Sequence, residues 1–173
     1  MSPIALRPAV RDDLPRLTEI YNHYVINTPI TFDLQPFSVE QRIPWFNEHS
    51  GTGRHRMVVA VEPQGKLVGY AATGRFRPKE AYETTVESSI YCDPDATGRG
   101  IGTELYRALF ESIQGQDINR VVGGVTQPNV ASVALHKRFG FQHVGTFTGN
   151  GRKFDRYWDV AWFERPLRCL CHS

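Results

Sequence analysis

Gly98, Gly100 and Gly102 alternate with other residues in DATGRGIG, residues 95–102, just ahead of an amphipathic run. A glycine cluster that opens a helix presents backbone N–H groups to an anion, and the helix dipole favours negative charge at that end. Two nucleotide-binding layouts fail on spacing. A dinucleotide fingerprint needs a glycine three residues beyond Gly100, where this chain has Thr103, and no acidic ribose reader closes a βαβ unit. A Walker loop ends in Gly-Lys-Ser/Thr, whereas Gly102 is followed by Thr103 and Glu104. What remains is a cradle of N–H groups from residues 98 to 103 suited to a pyrophosphate, or a strand-to-helix turn that holds no ligand.

The elements that must position this loop alternate between the two hydrophobic periods. Ile4 and Leu6 open a first strand, and Asp12 or Asp13 can cap a helix carrying Leu14, Leu17, Tyr21, Tyr24 and Val25 on one face. An irregular aromatic segment, 27–33, follows. Ser38 and Gln41 form a capping box ahead of Ile43, Trp45 and Phe46, in a helix whose regularity Pro44 limits. Runs 56–62 and 66–76 make a hairpin across a Gly-containing turn, and 84–92 is a third strand that leads into the glycine loop. The helix after the loop turns Ile101, Leu105, Ala108 and Leu109 inward. Then come a strand at 120–126, a helix from Asn129 to Phe139 that stops at Gly140, and strands at 141–147 and 156–164. The order β-α-α-β-β-β-α-β-α-β-β predicts an α/β (α+β) fold, a mixed sheet with helices on its faces.

Composition sets the bounds. A chain of 173 residues with 40% apolar content suits one domain, expected over 1–167, with 168–173 as a tail. Twenty basic and 18 acidic side chains give a net charge of only +2, too balanced to point to a nucleic-acid partner. No apolar run approaches the roughly 20 residues a membrane span requires, and the N-terminal stretch lacks the layout of a secretory signal, so a cytoplasmic location is expected. Cys92, Cys169 and Cys171 are too few and too unevenly placed for a disulfide framework, and no metal site is expected from the tail CLCHS.

Thr97 to Gly102, TGRGIG, resembles the R/Q-x-x-G-x-G/A acyl-CoA loop of the GNAT superfamily of N-acetyltransferases, with Thr97 where that family prefers Arg or Gln. Residues 129–141, NVASVALHKRFGF, resemble its second cofactor segment. AYETTVESSIYCDPDATGRGIG, GRKFDRYWDVAWFE and the early NHYVINTPITFD are similar to the phosphinothricin N-acetyltransferase group. The resemblance covers almost the whole chain. It implies a mostly antiparallel sheet of about seven strands, and transfer of acetyl from acetyl-CoA to the α-amine of phosphinothricin, methionine sulfone or methionine sulfoximine. A homodimer is also implied. A GNAT enzyme for another amine, such as a peptide N-terminus or polyamine, and a non-catalytic acyl-CoA-binding module are the alternatives.

An α-amine is mostly protonated at neutral pH, so it must lose a proton before it attacks a thioester. The resemblance places the group's catalytic glutamate at Glu87, whose bland alternative is an exposed strand residue in a salt bridge. His136 occupies a position where many relatives have a tyrosine near the cofactor sulfur. Its imidazole could protonate a thiolate, act as a second base, or be a hydrogen-bonded structural histidine. The backbone of Ile90, Tyr91 and Cys92 would pair with the pantetheine amides as an added strand. Gly98, Arg99, Gly100, Ile101, Gly102 and Thr103 would hold the pyrophosphate. Asn129 and Ser132 cap the later helix, and the resemblance adds cofactor contacts. For the acceptor it points to Phe32, Arg75, Phe76, Lys79 and Tyr82, the cations suiting its acidic oxygens. Tyr157, Trp158 and Trp162 are expected in the core or a dimer interface rather than in the pocket.

Overall fold

The computed structural model describes residues 4–167, so the tail expected at 168–173, with Cys169 and Cys171, lies outside the described residues. The order of helices and strands follows the hydrophobic periods: β1 (Ala5–Pro8), α1 (Leu14–Asn27), α2 (Val39–Asn47), β2 (Met57–Val61), β3 (Leu67–Arg75), β4 (Thr85–Cys92), α3 (Ile101–Ser112), β5 (Arg120–Thr126), α4 (Val130–Arg138), β6 (Gln142–Lys153) and β7 (Arg156–Pro166). These form a single seven-stranded sheet in the order β1-β2-β3-β4-β5-β7-β6. Every neighbouring pair is antiparallel except β4 and β5, which are joined by the crossover helix α3 that a parallel pair demands.

Side chains alternate across a strand, and the two faces of the sheet bury different partners. On one face Met57, Val59, Leu67, Tyr70 and Ala72 pack against Leu17 and Ile20 of α1 and against Trp45 and Phe46 of α2. On the other, Val58, Ala60, Ala71, Val86, Val121 and Val125 pack against Ile101, Leu105 and Leu109 of α3. Each Val, Leu, Ile or Met among them, fully withdrawn from water, contributes about 1.5–3 kcal/mol. In β4, Val86, Ile90 and Cys92 join the α3 side and Tyr91 joins the α1 side. Parity then puts Glu87 on the α1 side, opposite Gly74 of β3.

The pairing of β4 with β5 is short. Thr85, Val86 and Glu87 meet Arg120, Val121 and Val122, and there the ladder ends. Beyond it β4 stays paired with β3 as far as Cys92, and β5 stays paired with β7 as far as Thr126. The two strands therefore splay, and among the described residues no strand pairs with the β5-facing edge of β4 from Ser88 onward.

Local signals met different fates. The Ser38 box forms, with Gln41 N–H donating to Ser38 Oγ at 3.3 Å and Ser38 N–H to Gln41 Oε1 at 2.8 Å. Asn129 caps α4 by accepting from Ser132 N–H at 3.0 Å, and Gly140, with φ +78°, ends it. Asp13 does not cap α1. Arg7 grips its carboxylate with two bonds of 2.7 and 2.8 Å, and Val10 N–H donates to it at 2.8 Å, so it closes the turn before the helix. β6 runs to Lys153 rather than stopping near residue 147, because an irregularity between Phe147 and Gly151 lets pairing with β7 resume after the three residues Thr148, Gly149 and Asn150.

Candidate active site

The splay opens a cleft of about 540 Å³ beside the glycine loop. Ile90 and Cys92 of β4, Gly98, Gly100, Ile101, Gly102 and Thr103 of the loop, and Asn129 and Ser132 at the start of α4 line it. Gly98 and Gly100 have φ of +74° and +78°, where a Cβ is strained. Gly102 differs: a Cβ there would meet Ile90 and Leu135 at an ordinary 3.5 Å, so packing within the chain does not demand glycine. The N–H groups of Ile101 and Gly102 precede the first bond of the helix ladder, Thr103 N–H to Gly100 C=O at 3.0 Å. They are the donors an anion needs.

Behind the loop, the buried Asp93 gathers the turn. Lys66 Nζ reaches it at 2.9 Å, Asp95 N–H donates to it at 3.0 Å, and Arg16 pairs with it. Burial opposes its charge, but these donors prevail and hold its carboxyl below the ordinary range. Arg99 does not line the cleft, because its guanidinium is paired with Glu62 at 2.8 Å. Thr97 does line it and donates its hydroxyl to Pro94 C=O at 3.0 Å, which closes the turn before the glycines. The cation on the cleft wall is Arg138 of α4, which the sequence reading did not single out. Cys92 has its thiol pushed up to about 11 by burial and by Asp93, which leaves it protonated and unsuited to nucleophilic attack.

A second cavity, of about 290 Å³, lies where the strands part. Glu87 and His136 both line it, although Glu87 belongs to the α1 face and His136 comes from α4 on the opposite face, against Phe163. Only the splay lets the two share one space. Burial raises the affinity of Glu87 for a proton, and Arg77 partly offsets this. His136 is 3% exposed. Its Nδ1 lies 2.8 Å from Ser132 C=O, which can only accept, so Nδ1 carries the proton. Nε2 is then the acceptor, 3.3 Å from the Tyr106 hydroxyl, which also meets Ser88 Oγ at 3.3 Å. Burial lowers the imidazole's pKa, so the ring is neutral at pH 7. Tyr106, Ser88 and Asn150 line this cavity and were not read from the sequence. Gly123 of β5 backs the imidazole, since a Cβ there would stand 2.6 Å from His136 Nε2, and the glycine pair in RVVGGVT was the available signal for that close approach.

Of the expected acceptor residues, Phe32 lines this cavity. Phe76 and Tyr82 line an adjoining groove of about 540 Å³. Trp162, expected in the core or a dimer interface, is instead a wall shared by both spaces, its ring 6.0 Å from that of Phe76. Tyr91 lines this cavity and packs its ring edge-on against Tyr21, and Tyr24 donates to Cys92 C=O at 2.6 Å. Arg75 does not reach the cavity. It pairs across the ladder with Val86, so parity sends it to the reverse face, beside Arg54 and His55 in a separate polar hollow. Lys79 is exposed ahead of a short turn at Glu80–Tyr82 and lines none of these spaces. The cation whose field reaches Glu87 is Arg77. Among the described residues no group of three or more His, Cys, Asp or Glu could hold a metal ion, and no helix is long and apolar enough to cross a membrane.

Comparison with known proteins agrees with this architecture. Residues 6–162 match the acetyltransferase (GNAT) domain family. The chain is 51% identical to a phosphinothricin N-acetyltransferase of Streptomyces coelicolor over 165 residues, 95% of this chain and 96% of that protein. It is 34% identical to an L-methionine sulfoximine/L-methionine sulfone acetyltransferase of Pseudomonas aeruginosa, with 94% of each covered. A phosphinothricin acetyltransferase from Sinorhizobium meliloti, solved in complex with acetyl-CoA, superposes with a TM-score of 0.89 at 34% identity, covering 94% of this chain and 88% of that one. An N-acetyltransferase from Staphylococcus aureus superposes with a TM-score of 0.88 at 35% identity, covering 96% of this chain and all of that one. The splayed sheet, the glycine loop and these matches together establish that the chain belongs to the GNAT family of acetyltransferases.

Proposed function

We propose that this enzyme transfers the acetyl group of acetyl-CoA to the α-amine of a small amino-acid-like acceptor of the phosphinothricin or methionine sulfone and sulfoximine type, with Glu87 as general base. The observation that carries the proposal is the meeting of Glu87 with the glycine-loop cleft at the splay, through walls common to both spaces: Ile30, Ile90, Asn129 and Ser132.

Bound acetyl-CoA supplies the electrophilic thioester carbonyl. The residues of the chain fit it. The N–H groups at the start of α3 meet its pyrophosphate, Arg138 adds positive charge, and the free edge of β4 offers hydrogen bonds to an extended arm. Glu87 takes the proton from the acceptor's ammonium, and its burial makes it the stronger base for that purpose. The freed amine attacks the thioester carbonyl, the C–S bond breaks, and CoA leaves as a thiolate that takes up the proton lost by the new amide nitrogen. His136, protonated at Nδ1 and with Nε2 turned to Tyr106, holds the floor of the cavity and is poised to accept a proton rather than to give one. Arg77 is the cation assigned to the acceptor's acidic oxygens.

The far end of the sheet supports a homodimer as part of this reading. β6 is an edge strand, and Val144 and Phe147 on it, Phe154 at the hairpin turn and Tyr157 on β7 are all more than half exposed. A second copy covering this apolar edge would remove them from water. Analytical ultracentrifugation at micromolar concentration is expected to show a dimer that Phe147→Glu dissociates.

The activity is tested by thiol release from acetyl-CoA over a panel of phosphinothricin, methionine sulfone, methionine sulfoximine, a peptide N-terminus and a polyamine. Turnover is expected with the first three. Binding of acetyl-CoA without thiol release from any amine would overturn the proposal in favour of a binding module.

A further inference from the structure

We propose that the size of acceptor this enzyme accepts is set from behind the cavity by Gly151 of β6, while Lys153 of the same strand holds in place the wall through which Gly151 acts; neither residue lines the cavity. The inference rests on the cavity being the acceptor site.

The segment between α1 and α2 has no regular structure, yet its residues Ile30, Thr31 and Phe32 form one wall of the cavity. Ahead of it, α1 holds the segment by hydrogen bonds. Tyr21 Oη lies 2.7 Å from Thr31 Oγ1 and also bonds Asp33, while Asn22 exchanges two bonds with Phe37, at 2.8 and 2.9 Å. From behind, β6 holds it in two places. Lys153 buries its ammonium and donates to Thr31 C=O at 2.8 Å. One residue along the segment, the Phe32 ring packs against bare backbone at Gly151, where a Cβ would come within 2.2–2.6 Å of three ring atoms.

Both contacts exist because β6 is irregular between Phe147 and Gly151. That irregularity, pinned by Gly149 N–H donating to Asp159 at 2.7 Å, brings Asn150 into the cavity wall and sets Gly151 and Lys153 behind the segment. Gly151 does not have a positive φ, so its own backbone tolerates a side chain. The space a methyl group would need is held by Phe32, whose ring must yield, and the cavity that Phe32 lines is the space next to it. The Lys153 ammonium, buried against Thr31 C=O, is also favoured by the charge of Asp33 and lies 5.3 Å from the centre of the Phe154 ring. Both residues are positioning residues that act through the wall formed by Thr31 and Phe32.

The test is a kinetic cycle with a long acceptor, methionine sulfone, and a short one, alanine. Gly151→Ala is expected to lower the long-to-short ratio of kcat/KM at least tenfold through the acceptor KM, with the KM for acetyl-CoA unchanged. In a Phe32→Ala background the same substitution should leave the ratio within twofold. Lys153→Met, which loosens the wall without filling space, should raise the KM for both acceptors and leave their ratio unchanged. An unchanged ratio in Gly151→Ala, an equal effect in the Phe32→Ala background, or a matching rise in the acetyl-CoA KM would each overturn the inference. If the wild type turns over neither acceptor, the functional proposal fails instead. The inference is then read from a crystal structure of Gly151→Ala, in which an unmoved Phe32 ring sinks it.

Discussion

Gly123 of β5 and His136 of α4 are in contact so close that a Cβ at residue 123 would stand 2.6 Å from His136 Nε2. The imidazole sits where a strand side chain would normally project, held there by Ser132 C=O on one side and Tyr106 on the other. Gly123→Ala must therefore displace the ring into a packed aromatic surround of Phe141 and Phe163. Overpacking of this kind costs about 1–3 kcal/mol. Thermal unfolding should show a lower Tm, and kcat should fall with little change in the KM for acetyl-CoA.

Glu87→Gln separates catalysis from stability. Loss of a general base lowers kcat by about 10²–10⁴-fold. The wild-type rate should rise with pH as the buried carboxyl ionises, and that limb should be missing from the variant's profile. Stability should move the other way. Because the folded pKa is raised, the native state holds the proton more tightly than the unfolded chain, and the burial penalty is fully present above the folded pKa. At pH 7 the variant is expected to match or exceed the wild type in Tm. A drop in Tm that accounts for the lost rate would sink the assignment.

Acid should destabilise the fold well before its carboxylates titrate. His49, His55 and His136 all have pKa values lowered, chiefly by burial. Each is neutral in the native state and binds a proton more readily once unfolded, so stability is present above the ordinary histidine value and lost as pH falls below about 6.5. Each fully linked proton contributes a slope of about 1.4 kcal/mol per pH unit. Tm measured between pH 8 and 5 should be flat at first and then decline. His136→Asn should reduce the steepness of that decline.

The charges at the two sites should sort by geometry rather than by sequence proximity. Arg138→Ala should weaken acetyl-CoA binding by about 0.2–1 kcal/mol, the range for an exposed ion pair, as read by calorimetry. Arg99→Ala, whose guanidinium is engaged by Glu62, should change it little. Asp93→Asn should also weaken acetyl-CoA binding, because the glycine loop loses the anchor that Lys66 and Arg16 hold.

On the acceptor side, Arg77→Ala should raise the acceptor KM severalfold. Arg75→Ala and Lys79→Ala should leave it unchanged. An effect of Arg75→Ala equal to that of Arg77→Ala would show that the acceptor approaches from the reverse face of the sheet.

What the amino-acid sequence determined by itself is whatever depends on a few neighbouring residues. The order of eleven strands and helices followed from hydrophobic period, the cap at Asn129 and the box at Ser38 from side chains three positions apart, and the glycine loop from its own spacing. Tertiary structure decided what depends on distant chain meeting distant chain. The ladder between β4 and β5 stops after Glu87, and only that splay brings Glu87 and His136, from opposite faces of a sheet, into one cavity. Pairing of Gly74 with Glu87 placed Arg75 on the wrong face, a parity that no local pattern reveals. The irregularity in β6 and the contact of Phe32 with Gly151 are of the same kind, since a strand's register is set by its partners and not by its own residues.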